Sequence, residues 1–486
     1  MRISRSGRSL ALGLAILFLS FAPSLSRAQS SVHTLSLDEA IKLGLGRGED
    51  ITVAQAGVRS AEGSETIARS GMLPQVSASA VYVKTIKSQY SSLSSVSADT
   101  SAAAKAIGAI FSNLPFGKEN QWTLGLTASE TIFAGGRITA GQDAAEARKR
   151  SADIDLTAAE AQVALNVTQS YYDAVLADTL VKISADALKQ AGEVYRQTDL
   201  AFKVGEKAEF DALRAKVARD NMVPVLLQSE NDRDAAYYKL KQLLSIAIDD
   251  SVILTTPVND SVSRFAMKSD TSSEQRASVR QAAEAINISD AQVRIAESMR
   301  WPLISVSSTY SPVAYPNNLF PNFNDWYTNW TASVSLSIPI YTGGNISGNV
   351  DVARASLDQA NARLALTRKS AALDSRLSLL ALDAAEANLR STTGTVAEAT
   401  RAYDIAQVRF TQGISTQVEL DDARLQEQQA RANWARSVRN FQVARAKLSL
   451  LKDLPLSAGQ AMPMQPISMP QTGGTQSPTT GAPTGQ

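Results

Sequence analysis

The 486-residue chain contains no cysteine. That excludes disulfides, thiol catalysis, cysteine-based zinc sites and a lipid-modified cysteine as a membrane anchor. There is one histidine, His33, which leaves histidine-centred acid–base chemistry almost nothing to work with. Aromatic residues are only 6% of the chain, which suits closely packed helices better than a large aromatic core. Basic and acidic residues nearly cancel, 48 against 47, so no broad field draws in nucleic acid. No Gly-rich, Lys-containing phosphate loop is present. Beyond the N-terminus, no apolar run reaches the roughly 20 residues that a membrane-spanning helix needs. Two acid pairs occur, Asp249-Asp250 and Asp421-Asp422, but adjacent residues on a helix do not face each other. An enzyme is not expected, nor a metal or other cofactor.

The chain does have an N-terminal export pattern. Arg2, Arg5 and Arg8 precede an apolar stretch from Leu10 to Phe21, and Ser26-Arg27-Ala28 offers small residues for cleavage. Residues 1–28 are therefore expected to be a signal peptide.

A second feature is doubling. Phe202-Lys203-Val204-Gly205 lies between two long helical patterns, and Phe410-Thr411-Gln412-Gly413 lies between two more; the glycines are 208 residues apart. Trp122 and Trp330, Gly135-Gly136 and Gly343-Gly344, and Tyr195 and Tyr403 keep the same offset. The spacing predicts a helix from about Arg137 to Phe202, roughly 65 residues or about 97 Å at 1.5 Å per residue. Its stripe steps by three and four through Val167, Ser170, Ala174, Ala177, Val181, Ser184, Leu188, Ala191, Tyr195, Thr198 and Phe202. This is a heptad seam whose alternate members are small, so neighbouring helices can approach closely. The same order of large and small recurs from Ser375 to Phe410. Pro224 predicts a kink or break in the returning helix of the first copy. Ser36 with Glu39 forms a capping box ahead of the first helix, and Pro74 and Pro302 stop the helices before them.

Period-two patterns fill the space before each long helix. Val76, Ala78, Ala80 and Tyr82 share one face, and Trp122, Leu124, Leu126 and Ala128 alternate with Thr123, Gly125, Thr127 and Ser129. Ile304, Val306 and Tyr310, and then Trp330, Ala332, Val334, Leu336 and Ile338, repeat the pattern. Apolar outside and small polar inside over about ten residues describes a strand of a membrane barrel. It equally describes a half-buried soluble strand. Four such strands cannot close a barrel alone, since the smallest use about eight. The aromatics Tyr310, Tyr315, Phe320, Phe323, Trp326, Tyr327 and Trp330 suit a membrane-interface belt; a soluble loop packed by aromatics is the alternative. The expected organisation is 1–28 signal peptide, 29–248 first repeat, 249–275 linker, 276–454 second repeat and 455–486 disordered tail. Ser91 to Asn120 reads as an exposed loop.

The doubled order of strand pair, Gly135-Gly136-Arg137, long helix with Tyr171-Tyr172 and Phe-x-x-Gly, then Ile338-Pro339-Ile340-Tyr341-Thr342-Gly343-Gly344, resembles the TolC-like outer-membrane efflux family from Leu35 to Leu454. The fold this implies is mainly α with a membrane β-barrel: an internally duplicated chain with four strands and long coiled-coil helical hairpins. A homotrimer would form a 12-strand barrel in the outer-membrane lipid and an α-helical tunnel in the periplasm. The linker and C-terminal region would form a belt around the helices. The implied function is a passive duct for small molecules in a tripartite export system, with a periplasmic adaptor and an inner-membrane pump as partners. A type I protein-secretion duct is the rival within transport. A trimeric coiled-coil surface protein or adhesin is the rival of another class, although a stalk has no reason for two strand pairs.

The resemblance also implies site residues. Glu419 and Asp422 match the acids of a pore constriction at the tunnel tip. Thr416 to Glu419 also reads as a capping box, so Glu419 has a structural role available. Asp421 favours the helix N-terminus through the dipole. Asp211 matches a residue that locks the tip, yet its partner positions, Phe410 and Ser415, lack the usual aromatic hydroxyl and base. Arg214 is a candidate partner or an exposed helix charge. The turns, with Val204, Gly205, Gln412 and Gly413, match the adaptor docking site; a plain interhelical turn is the alternative.

Overall fold

The computed structural model describes residues 32–87, 118–256 and 272–456. The expected signal peptide, most of the expected Ser91–Asn120 loop, much of the expected linker and nearly all of the expected tail lie outside these. The elements follow the sequence periods closely. A short strand β1 (Val32–Leu35) leads into α1 (Leu37–Arg47) and α2 (Glu49–Ser70). Ser36 and Glu39 form the capping box: the Ser36 N–H donates to Glu39 Oε2 (2.9 Å), and the Glu39 N–H donates to Ser36 Oγ (3.4 Å). Strands β2 (Gln75–Lys84) and β3 (Asn120–Phe133) precede α3 (Arg137–Lys203), which at 67 residues is about 100 Å long. Then come α4 (Glu209–Asp220), α5 (Met222–Leu243) and β4 (Ser251–Leu254). The second copy supplies α6 (Ala277–Ser298), β5 (Leu303–Tyr310), β6 (Val313–Ala314), β7 (Trp326–Tyr327), β8 (Trp330–Ser337), α7 (Asn345–Thr411) and α8 (Gln417–Leu450).

The break expected at Pro224 occurs at Asn221. Proline has no N–H to donate to the carbonyl four residues back, that of Asp220, so the helix stops there and restarts with Pro224 inside its first turn. The four-residue parallel pair of β1 with β4, Val32 opposite Ser251 through Leu35 opposite Leu254, was not expected.

Two compact units form, and each draws on both repeats. Among the described residues, one contains 32–44, 167–256 and 396–439. The seam of α3 packs here: Ser170, Ala177, Ser184, Ala191 and Thr198 are all buried. Ser184 Oγ lies 2.9 Å from Ser229 Oγ of α5. Tyr171 is fully buried, and its hydroxyl donates to the Leu35 carbonyl (3.0 Å) and accepts from the Thr256 N–H (2.9 Å). That single hydroxyl ties α3 to the ends of both short strands.

The other unit contains the sheet. Its four long strands run β2-β3-β5-β8, all antiparallel, and the short β6 and β7 extend it beside β3. The register places apolar residues opposite one another: Ala78 with Leu126, Tyr82 with Trp122, Val306 with Val334, and Tyr310 with Trp330. The other face carries hydroxyl rows such as Ser77, Thr127, Thr309 and Thr331. Thr127 and Thr309 hydroxyls are 3.3 Å apart, and those of Ser307 and Ser333 are 2.8 Å apart. Aromatic residues gather at one end. Tyr82 packs on Trp122, Trp122 stacks on Phe320, and Tyr310 meets Trp330 edge-on.

The two repeats pair their strands in the same register. Ser77 faces Thr127 as Ser305 faces Ser335, and Tyr82 faces Trp122 as Tyr310 faces Trp330. Yet they differ at their edges. β3 is paired on both sides, whereas among the described residues β8 is paired on one, and all eight of its residues are exposed. Gly135, at φ +59°, sits against the β5 entry: a Cβ there would lie 2.5 Å from Trp301 Cβ. Its counterpart Gly343, at φ +60°, meets nothing within 4 Å.

Candidate functional site

The two interhelical turns have one geometry. Gly205 has φ +82° and Gly413 φ +72°, conformations open to glycine at little cost. In the first turn the Glu206 N–H donates to the Ala201 carbonyl (2.8 Å) and the Gly205 N–H to that of Phe202 (2.9 Å). In the second, Ile414 donates to Arg409 (2.8 Å) and Gly413 to Phe410 (3.0 Å). These paired bonds satisfy the last carbonyls of α3 and α7, a Schellman ending with glycine at its left-handed position. Val204 and Ile414 are left exposed beside the glycines.

Beneath the turns an apolar cluster joins the two copies. Val194 of α3, Ala215 of α4, Tyr403 and Phe410 of α7 and Leu420 of α8 are buried together. Phe410 has no hydroxyl, but its ring has a cation over it, Lys207 Nζ at 5.1 Å from the centroid. Arg219 sits likewise over Tyr195, at 4.7 Å. Such contacts contribute about 0.5–1 kcal/mol each at exposed sites. Ser415 Oγ is buried with no hydrogen-bond partner among the described residues.

The acids named from the sequence separate into different environments. Glu419 and Asp422 are exposed. Thr416 Oγ1 accepts from the Glu419 N–H (3.3 Å), capping α8, while the Glu419 carboxylate lies 3.9 Å from Arg409 Nη2. Asp211 contributes through its backbone: with the Gln417 amide turned so that both of its ends are satisfied, Nε2 donates to the Asp211 carbonyl (3.2 Å) and Oε1 accepts from the Ala215 N–H (3.1 Å). Its carboxylate has no hydrogen bond or ion pair among the described residues.

A polar row along α8 was not singled out from the sequence as a site. Gln417, Arg424 and Glu427 are buried, and Asp421 is half-buried. They step by three or four, so their signal was a polar filling of the helix's packing stripe. Asp421 pairs with Arg424 at 3.1 Å. Burial pushes the Asp421 carboxyl above the usual carboxylate range, against the pull of Arg424 and Arg214. Burial also raises Glu427, opposed by Arg431 at 3.9 Å. Arg431 in turn bonds Asp186 of α3 at 3.0 Å.

No helix among the described residues is long and apolar enough to cross a membrane, and no acid or histidine group there could hold a metal ion. The geometry is that of two joined helical hairpins and a sheet with open edges.

Known proteins share this arrangement. The TolC outer membrane protein of Vibrio cholerae is 24% identical over 294 residues, 58% of this chain. The aligned stretch spans 65% of that relative, just under two thirds of its length. A membrane protein of Pseudomonas aeruginosa superposes with a TM-score of 0.70 at 17% identity, covering 86% of this chain and 93% of the other. The outer membrane protein VceC of Vibrio cholerae superposes with a TM-score of 0.67 at 18% identity, covering 86% and 96%. These superpositions show a shared fold. The sequence model for outer membrane efflux proteins matches residues 40–245 and 269–451. The match takes in both strand pairs, both glycine turns and most of all four long helical segments, and on that span the chain belongs to the outer membrane efflux protein family.

Proposed function

We propose that this chain is the outer-membrane duct of a tripartite export system, a passive path for small molecules from the periplasm to the exterior. The observation that carries this reading is the bare edge. Repeat one finds its next strand in repeat two, since β3 pairs with β5. Repeat two finds none: β8 and the outer side of β2 are open among the described residues. An open edge in lipid leaves backbone groups unpaired at several kcal/mol each. A second copy offers β2 to β8 just as β5 is offered to β3. Three copies bring twelve strands, a closed barrel within the range that membranes contain. The apolar face with its aromatic end then meets outer-membrane lipid, and the hydroxyl face lines the bore.

In this reading the helical hairpins continue the bore into the periplasm, and the glycine turns form its tip. Val204, Gly205, Gln412 and Gly413 dock the adaptor, whose inner-membrane pump supplies energy and selects the substrate. Glu419 and Asp422 from three copies ring the entrance. Residues 1–28 direct export. The test is fractionation followed by reconstitution. The protein is expected in the outer membrane as a heat-modifiable trimer that conducts ions in planar bilayers. Recovery in the soluble fraction, without channels, would refute the duct.

A further inference from the structure

The link that Asp211, Phe410 and Ser415 cannot make through their side chains is supplied by a residue four positions beyond the second glycine. Gln417 is 7% exposed, at the first position of α8. Its amide reaches the other hairpin and uses both ends there, donating to the Asp211 carbonyl at 3.2 Å and accepting from the Ala215 N–H at 3.1 Å. Those two backbone groups are the two ends of one i→i−4 step of α4, so the amide's bonds brace that helical turn from the side. A primary amide is the side chain that matches both. Around it the packing is dry: Ala215 and Leu420 are each 1% exposed, and Phe410 and Tyr403 close the cluster.

We propose that Gln417 is the latch of the tip, an uncharged clamp that holds α4 of the first hairpin to α8 of the second and has to let go for the entrance to widen. The proposal rests on the duct reading. It differs from a charged lock in a way that can be measured. The titratable groups around the position are Lys207 beside the first turn, Asp211 and Arg214 on α4, Tyr403 on α7, and Asp421 and Arg424 on α8. None of them makes the clamp's two bonds through its side chain, although the Asp421 carboxylate also takes a hydrogen bond from Gln417.

The test compares wild type, Gln417→Leu and Gln417→Glu as full-length trimers. Leucine keeps the bulk and removes both bonds. A glutamate carboxylate can accept from Ala215 but cannot donate to the Asp211 carbonyl; once protonated it does both, like the amide. Both variants are expected to conduct more than wild type near neutral pH. Both should exchange amide hydrogens across 209–220 faster, by about tenfold if the clamp is worth roughly 1.4 kcal/mol. On acidification the glutamate variant should return toward wild type measured at the same pH, and the leucine variant should not. Intact variant trimers with wild-type conductance and wild-type exchange would overturn the latch, as would a glutamate variant whose excess exchange ignores pH. If leucine prevents assembly, Gln417→Glu combined with Asp421→Asn at two pH values decides, because the Asp421 carboxylate that bonds Gln417 would otherwise repel the new one. If wild type itself forms no channel, the duct reading fails, and exchange in α4 still decides whether the clamp exists.

Discussion

Arg276 and Asp374 form an ion pair of 2.8 Å with their side chains 0% and 4% exposed. Arg276 lies at the N-terminal boundary of α6 and Asp374 within α7, so the pair joins two helices of the second repeat. Arg276 also reaches Ser375 Oγ (3.5 Å) and the Leu454 carbonyl (3.4 Å), and the adjacent Ala277 N–H donates to Lys452 (2.9 Å). The guanidinium thus fastens the turn after α8 to the start of α6. Arg280 with Asp453, at 2.9 Å, repeats the link nearer the surface. Removing one member of a buried pair costs up to about 3–5 kcal/mol, and less where a second cation stays, as Lys447 Nζ does at 3.9 Å from Asp374 Oδ1. Arg276→Met is expected to lower unfolding stability by less than that full amount, measured by thermal or denaturant unfolding in detergent. Arg276→Met with Asp374→Leu should recover much of the loss, because no orphan charge remains.

In the proposed trimer, the identical register of the two repeats sets an expected register between copies. Within the chain Ser129 of β3 faces Ser307 of β5. Ser337 occupies the Ser129 position in repeat two, and Ser79 occupies the Ser307 position in repeat one. Ser337 of one copy should therefore face Ser79 of the next. The absence of cysteine makes the experiment clean. Ser79→Cys with Ser337→Cys is expected to give oxidised ladders ending at a trimer on denaturing gels, dissolved by reductant. A two-residue slip, Ser77→Cys with Ser337→Cys, should cross-link far less. Equal yields would show that the copies do not join in this register.

What was legible in the sequence was whatever repeats locally. Period two gave β2, β3, β5 and β8, and the three-four steps gave the seams of α3 and α7. The left-handed glycines at 205 and 413 ended helices where expected. What was hidden depends on distant partners. β1 and β4 are four residues each, too short to show a period, and lie some 200 residues apart. Arg276 reads as a helix-start residue until the fold buries it against Asp374. The latch failed to show for the same reason. Asp211 was singled out for its carboxylate, but the structure engages its carbonyl, and Gln417 on another helix completes the link. Asp421 looked like a dipole effect until packing half-buried it beside Arg424.

Burial holds the Asp421 and Glu427 carboxyls above their ordinary values. The sign follows from linkage. A carboxyl whose folded pKa is raised takes up a proton more readily in the folded protein than in the unfolded chain. It therefore adds stability below its unfolded pKa, and that gain is lost as pH rises through the folded value. The hairpin region should resist unfolding better as pH falls from neutral into the carboxylate range. Asp421→Asn with Glu427→Gln should flatten that dependence. Thermal unfolding across this pH range, wild type against the double variant, checks it; parallel slopes would show that these two groups do not titrate on unfolding.

In the proposed duct, Glu419 and Asp422 should set the entrance charge unequally. Glu419 lies 3.9 Å from Arg409, with both side chains about half exposed, while no ion pair reaches Asp422 among the described residues. A water-exposed pair of this kind contributes about 0–1 kcal/mol to stability, so neither Glu419→Ala nor Arg409→Ala should unfold the protein. Their effect is on the local field. In a trimer the Asp422 carboxylates act uncompensated, whereas each Glu419 has a cation beside it, and rings of carboxylates favour cations. Reversal potentials in a salt gradient should therefore lose more cation preference in Asp422→Ala than in Glu419→Ala. Arg409→Ala should gain cation preference, because it releases the Glu419 charge. The double variant Glu419→Ala with Asp422→Ala should also weaken block by multivalent cations. Wild-type selectivity and block in that double variant would remove both acids from the entrance and place the constriction elsewhere along the bore.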